Sequence, residues 1–303
     1  MPGLTDFTDR YGFKPTSIAQ FDNSERAWRV ESSEGVHVLR LHGDQHQPNH
    51  AAEIAALRHL EAVDFPAPRL ITAVNGDSIT CWGDRSGYLT TFIDGRQLQL
   101  SQLEAGDVGG ALAALHNLDI DTAGLPGTTF TVDAKRRYFD AMDADPEVRA
   151  WDGYAMIRQE LTTAWSGLPD FRDVPHTLIH TDVLFHNVIR TPAGGLVFID
   201  WEGCGVGPAI QDIGYFLGYA IPSEGARFGT DMTRAFLQGY VSVRPLMDME
   251  WQRLTDAILF GSIFTVLWYS MVYEKSWLRT RYLLQNRTQI TSALAHVRAT
   301  LSV

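Results

Sequence analysis

The stretch LIHTDVLFHNVIRTPAGGLVFIDWEG (residues 178–203) sets two aspartates, an asparagine and two histidines between apolar runs. VIR and LVFID flank TPAGG, whose proline and glycines suit a chain reversal, so the segment reads as a β-hairpin. With Pro192 to Gly195 as the loop, Arg190 pairs with Val197 and Val188 with Ile199, which sets Asn187 opposite Asp200. Directly opposed residues hold their Cβ atoms about 4.5–5.5 Å apart. An amide oxygen and a carboxylate at that spacing suit one hard cation, and Mg2+ takes one or two carboxylates together with substrate phosphates. Asn and Asp also commonly end strands, and the pair alone does not separate the two readings.

The neighbours add weight to the metal reading. Asp182 lies five residues before Asn187, on a loop entered from the apolar run TLI. A carboxylate there is placed to accept or orient the proton of an attacking hydroxyl. His180 alternates with Asp182 and is read as a brace for the loop through its ring nitrogens, not as a proton carrier. His186 reads as a solvent-facing loop residue and is given no role. Zinc is disfavoured, because no further His or Cys stands at ligand spacing on this loop.

Outward from this segment, the chain changes character once. RAWRVES and GVHVLRLHG alternate with period two around SEG and predict a hairpin. NHAAEIAALRHLEAV predicts a helix, ended by the breakers of DFPAPRL. GYLTTFIDG is a further strand. After Gly95 the pattern turns helical, opening with Ser101 and Glu104 in capping-box spacing. Val108, Leu112 and Leu115 then follow at helical intervals. The expected fold is α+β and bilobal, with a small β-rich N-terminal part (1–94) and a larger, mainly helical part (95–303).

In the first part, Glu53 shares a largely apolar helical stripe with Leu57 and Leu60. An inward carboxylate costs several kcal/mol unless a cation meets it. Arg40, between Leu39 and Leu41 on the preceding strand, is the candidate partner. A strand cation pinned by a helix glutamate is how kinases aim positive charge at nucleotide phosphates. The alternative is a Glu53 at the edge of the stripe, reaching water.

Composition narrows the setting. The 303 residues are 45% hydrophobic and 20% charged, with a net charge of −11. That disfavours nucleic acid as a partner and is compatible with cationic substrates. Two cysteines make no disulfide framework, and the N-terminus has no basic segment before an apolar run, so a cytoplasmic protein is expected. AILFGSIFTVLWYSMVY (residues 257–273) is uncharged but short for a membrane span and reads as a buried core helix.

HTDVLFHN followed by VFIDWE resembles the H-x-D-x4-N and I-D-x-[DE] motifs of the aminoglycoside phosphotransferase/choline kinase-like family, relatives of the protein kinases. GVGPAIQDIGYF is similar to the family's G-x-P-x3-D segment. HVLRLHG, EIAALRHL, FPAPRLI and YLTTFIDG look like its N-lobe strand, helix, connecting segment and hinge, in the expected order. The resemblance implies a protein-kinase-like fold with ATP or GTP and Mg2+ in the cleft. By motif match, Asp182 would be the catalytic base, Asn187 and Asp200 the metal ligands, and Arg40 with Glu53 the phosphate-positioning pair. Asp212 would anchor the catalytic loop, and Thr91, Phe92 and Ile93 would form the hinge near the adenine. Glu202 matches the acidic position after the metal aspartate and would touch metal or substrate. Arg40 stands where many kinases carry lysine, and arginine is not a neutral replacement. FDNSERAW has no glycine where a Gly-rich loop would sit, which leaves Ser24 and neighbouring amides to contact the phosphates.

An acceptor pocket in the helical part has aromatic candidates in Trp151, Tyr154, Trp201, Trp268, Tyr269, Tyr273 and Trp277, which suit an amine or a sugar. Phe260, Phe264 and Leu267 recur at helical spacing and read as core. The expected activity is transfer of the γ-phosphoryl group to a hydroxyl of a small molecule such as an aminoglycoside, amino alcohol, sugar or homoserine-like compound. The alternatives are a bacterial Ser/Thr protein kinase of the same fold and a nucleotide-binding pseudokinase or scaffold.

Overall fold

The alternating run predicted as a hairpin forms two antiparallel strands in the computed structural model, which describes residues 8–22, 24, 26–42, 50–82, 85–119, 124–219, 229–268 and 274–301. Strand β2 (Ala27–Ser32) turns into β3 (Gly35–His42) through Gly35, whose φ of 127° favours glycine. They join β1 (Pro15–Gln20), β4 (Leu70–Ile71), β5 (Thr80–Trp82) and β6 (Arg85–Thr91). The sheet order is β1-β2-β3-β6-β4, with β5 also paired to β6. Helix α1 (His50–Ala62) follows β3, as the sequence predicts.

Register explains the two faces of this sheet. Trp28 pairs with Leu39 and Leu39 with Leu89, and all three are buried in a core shared with Tyr11, Phe13, Val30 and Leu41. Each such side chain contributes about 1.5–3 kcal/mol of burial. One residue along, Ala27 pairs with Arg40 and Arg40 with Tyr88. Side chains alternate between faces, so this polar row points away from the apolar one.

Two further strands, β9 (Val188–Arg190) and β10 (Leu196–Phe198), form a three-stranded sheet with β7 (Arg96–Gln97), in the order β10-β9-β7. The predicted hairpin is present, but its register needs correction. Thr191 N–H donates to Gly195 O and Gly194 N–H to Thr191 O, each at 2.9 Å. The loop is therefore the three residues 192–194, not four, and the expected pairing of Arg190 with Val197 shifts by one residue at the turn. Gly194 adopts φ 89°, and a glycine in that region is what closes a three-residue hairpin loop. Asn187 lies in a 3-10 turn (Phe185–Asn187) ahead of β9, and Asp200 follows β10 with φ 70°. Neither is a ladder residue.

The remaining elements are mostly helical. They comprise α2 (Gln102–His116), α3 (Lys135–Ala144), α4 (Pro146–Arg149), α5 (Tyr154–Ser166), the strand pair β8 (His176–Ile179) and β11 (Gly205–Pro208), then α6 (Ala209–Tyr219), α7 (Thr230–Val241), α8 (Asp248–Trp268), α9 (Glu274–Gln285) and α10 (Arg287–Thr300). Helix α2 starts at the capping box: Ser101 Oγ accepts the Glu104 N–H, and the Glu104 carboxylate reaches back to the Gln99 N–H. Val108, Leu112 and Leu115 are fully buried. Phe260, Phe264 and Leu267 of α8 are core residues, and no helix among the described residues is long and apolar enough to cross a membrane.

Helices α6 and α8 approach through glycine. A Cβ on Gly214 would lie 2.3 Å from the Ala257 carbonyl carbon, and one on Gly261 would lie 2.7 Å from Tyr215 Cα. The sequence reading divides the chain once, after residue 94. The structure divides into one unit of Met1–Gln97 with Ile189–Glu202, and another of Leu98–Val188 with Gly203–Val303.

Candidate active site

Within the helical unit, β8 delivers the chain to His180, Thr181 and Asp182. His180 is fully buried, and Thr181 holds φ 71°, a conformation rare for a threonine. That bend turns two successive backbone amides toward one carboxylate. The His180 N–H donates to Asp212 Oδ2 at 2.8 Å and the Thr181 N–H to Asp212 Oδ1 at 2.7 Å. Asp212 sits in the first turn of α6 with no exposed surface. The His180 ring faces its own loop, with Nδ1 accepting the Asp182 N–H at 3.3 Å.

Asp182 itself is held at both oxygens. Asn187 Nδ2 donates to Asp182 Oδ2 at 2.7 Å and to the Asp182 carbonyl at 3.1 Å, while Tyr215 O–H donates to Oδ1 at 2.9 Å. With its nitrogen engaged this way, the Asn187 amide keeps its oxygen as the acceptor end. His186 is exposed.

Two contributors escaped the sequence reading. Tyr215 stands three residues after Asp212, so one helical face presents both to the loop. The Asp–x–x–Tyr spacing in QDIGYF was the available signal. His116, at the end of α2, lies 3.1 Å by Nε2 from Asp212 Oδ2 and 2.8 Å by Nδ1 from the Tyr240 hydroxyl. Arg244 donates to the same hydroxyl at 3.0 Å and to Glu250 at 2.9 Å. A buried polar chain thus runs behind the loop, and each link satisfies a group that burial would otherwise penalise.

The β-rich unit carries a second cluster. Arg40 Nη1 lies 2.8 Å from Asp200 Oδ1 and 4.0 Å from Glu202 Oε2. These are the carboxylates within 4 Å of Arg40 among the described residues, so the direct Arg40–Glu53 ion pair expected from the sequence does not form. Tyr88, opposite Arg40 in the ladder, is fully buried and electrostatically linked to both Arg40 and Glu53. The strand register sets this phenol opposite Arg40, an arrangement that residue types on separate elements do not disclose.

Burial dominates the electrostatics here. It pushes the Glu53 carboxyl up to about 7 against the pull of Arg40 and Tyr88. Burial, then Glu53, raises the Tyr88 phenol well above its ordinary value. Burial opposes the Arg40 charge, but Asp200, Tyr88 and Glu53 outweigh it and hold the guanidinium ionised. Burial and the charge of Asp200 raise Glu202, which also meets Arg26 at 3.4 Å. Asp200 and Glu202 present only oxygen donors, and their mutual repulsion is what a divalent cation would relieve. The donor set therefore fits a hard ion such as Mg2+ completed by phosphates.

The other expected contacts are placed as follows. Thr91 is bonded to Arg69 through both its N–H and its hydroxyl, and the Phe92 N–H donates to Val36 O. Phe92 carries the Arg29 guanidinium 4.5 Å above its ring, and Ile93 is half-buried. Ser24 Oγ accepts the Arg26 N–H at 3.2 Å. Asn23 and Glu25 of the segment read for a Gly-rich loop lie outside the described residues. So do Tyr269 and Tyr273, and the side chain of Trp268. Trp201 and Trp277 are buried, while Trp151 and Tyr154 are half-buried.

A model described as the phosphotransferase enzyme family matches residues 17–246 of this chain. A homoserine kinase of Rhodospirillum rubrum is 29% identical over 232 residues, covering 73% of this chain and 68% of that protein. Among solved structures, amicoumacin kinase hAmiN in complex with AMP-PNP, Ca2+ and Ami superposes with a TM-score of 0.71 at 15% identity, covering 94% of this chain and 92% of that one. A microcompartment-associated aminopropanol kinase gives a TM-score of 0.66 at 19% identity, covering 94% of each chain. The β-rich and helical units are those of a protein-kinase-like fold.

Proposed function

We propose, from the premise that this chain belongs to the phosphotransferase enzyme family, that it passes the γ-phosphoryl group of ATP or GTP, with Mg2+, to a hydroxyl of a small molecule that also carries an amine. It is a kinase whose acceptor is an alcohol group. One observation carries the mechanistic reading: Asp182, on a loop tied down by Asp212, has both carboxylate oxygens held by side-chain donors. Such a carboxylate is placed to take the proton of the acceptor hydroxyl as the new O–P bond forms and the bond to the leaving β-phosphate breaks.

Phosphoryl transfer passes through a loose transition state, so positioning and charge neutralisation dominate. Arg40 offers a planar fork of donors to phosphate oxygens. Glu53 and Tyr88 add electrostatic support to its charge. Asp200, with Asn187 supplied by the motif and Glu202 beside Asp200, would hold the metal. When bound, the metal neutralises phosphate charge. The segment Thr91, Phe92 and Ile93 is assigned to the adenine, and Ser24 to the phosphates. An amine on the acceptor is supported by the relatives' names, since homoserine and aminopropanol each join an amine to a hydroxyl. The net charge of −11 favours a cationic acceptor.

The test is a screen of ATP and GTP turnover against L-homoserine, ethanolamine, 1-amino-2-propanol, choline and aminoglycosides, with product mass as readout. Asp182→Ala is expected to lower transfer on the order of a hundredfold to ten-thousandfold while nucleotide still binds. Wild-type turnover by that variant would reject the assignment.

A further inference from the structure

We infer that Tyr215 is a positioning residue for phosphoryl transfer: its hydroxyl fixes the orientation of the Asp182 carboxylate. The inference rests on the reading of Asp182 as the base. A carboxylate offers about two acceptor sites on each oxygen. Tyr215 takes one on Oδ1 and Asn187 takes one on Oδ2. Held at both oxygens, the group is restrained from rotating about its Cβ–Cγ bond.

The two donors differ in what they are attached to. Asn187 belongs to the loop it serves, five residues beyond Asp182, and moves with it. Tyr215 comes from α6, the helix that also supplies Asp212. Asp212 and Tyr215 sit one turn apart on one face, so a single rigid turn sets the loop backbone through the first and the reacting side chain through the second.

The phenol is itself confined. Tyr215 is 4% exposed, and its ring meets Phe130 edge-on at 6.1 Å. Behind its backbone, Gly261 of α8 comes so near that an added Cβ would stand 2.7 Å from Tyr215 Cα. Phe130 in turn packs against Phe260 and Phe264 of the same helix. Two sides of the tyrosine are thus fixed by core, and its polar end is spent on Asp182. A merely structural tyrosine would show its value in stability. A positioning tyrosine shows it in kcat, because a displacement of about 1 Å costs on the order of a hundredfold.

Tyr215→Phe keeps the ring and removes the hydroxyl. MgATP turnover of the full chain is followed without acceptor, where water competes, and with each amine of the screen. We expect kcat to fall on the order of tenfold or more in both settings, with KM for ATP within about twofold and an unchanged thermal midpoint. Wild-type kcat in Tyr215→Phe would overturn the inference. A loss of kcat matched by a lower midpoint and weakened ATP binding would overturn it too, since that is the signature of a folding role. Asp182→Ala in parallel separates the two ideas. Turnover surviving in Asp182→Ala rejects the base itself, whereas turnover lost there but intact in Tyr215→Phe rejects only the positioning role.

Discussion

Arg40 spends its guanidinium on Asp200, with 2.8 Å between Nη1 and Oδ1, while Glu53 lies buried and forms no direct ion pair with it. An arginine already facing the proposed metal aspartate must be shared with, or released to, incoming phosphates. Arg40→Gln is therefore expected to weaken MgATP binding on the order of tenfold to a hundredfold, the value of a charge-assisted hydrogen bond. Arg40→Lys should retain part of the affinity, because the charge stays and the fork is lost. Titration calorimetry decides: equal affinity in wild type and Arg40→Gln removes Arg40 from the nucleotide site.

Glu53 makes stability depend on pH in an unusual direction. Burial lifts its carboxyl from 4.5 to about 7, so the folded state holds the proton more tightly than the unfolded chain does. The corresponding stabilisation is complete below about pH 4.5 and is lost as pH rises to about 7, on the order of 3 kcal/mol in all. Glu53→Gln mimics the protonated group and should flatten this slope, leaving the variant more stable than wild type at pH 8. Urea unfolding at pH 5, 6, 7 and 8 checks it. Parallel slopes for the two proteins would remove Glu53 as the source.

Local features of the chain were legible where one physical rule dominates. Alternation gave β2 and β3, and the Ser101–Glu104 spacing gave the start of α2. Uninterrupted apolar periodicity marked Phe260, Phe264 and Leu267 as core. The hairpin register failed by one residue because it turned on whether Gly194 takes a positive φ, and both TPAGG glycines looked eligible. The partner of Arg40 was illegible for a different reason. Glu53 and Asp200 are both carboxylates, one 13 and the other 160 residues away, and only the folded contact, 2.8 Å to Asp200, shows which is reached directly. Tyr215 was hidden because an aromatic residue on a buried helix face ordinarily means core, and its hydroxyl contact appears only in three dimensions.

Asp212 offers a sharp stability test. Its carboxylate accepts from the His180 and Thr181 amides and meets the His116 ring, all in full burial. Asp212→Ala leaves two buried N–H groups without an acceptor, each worth about 1–3 kcal/mol. The expected loss is about 3 kcal/mol or more in urea unfolding, accompanied by loss of turnover because the Asp182 loop is released. Asp212→Asn keeps one carbonyl oxygen and should lie between the two. A loss below about 1 kcal/mol in Asp212→Ala would mean that the loop is held by other bonds.

Gly261 reverses a common rule. Replacing glycine by alanine inside a helix ordinarily gains about 1 kcal/mol, because glycine loses more backbone entropy on folding. At Gly261 the new methyl would stand 2.7 Å from Tyr215 Cα and 3.0 Å from its nitrogen, both backbone atoms that cannot swing aside. Overpacking of this kind costs about 1–3 kcal/mol, which exceeds the propensity gain. Gly261→Ala should therefore destabilise, and by moving α8 off α6 it should lower kcat together with the Tyr215–Asp182 contact. Gly110→Ala in α2 is the control, since its nearest neighbour, Gly239 O, lies at an ordinary 3.6 Å and the substitution should be neutral or stabilising. Urea midpoints for the two variants read the difference directly, and a stabilised Gly261→Ala would show that the crossing yields where it is expected to hold.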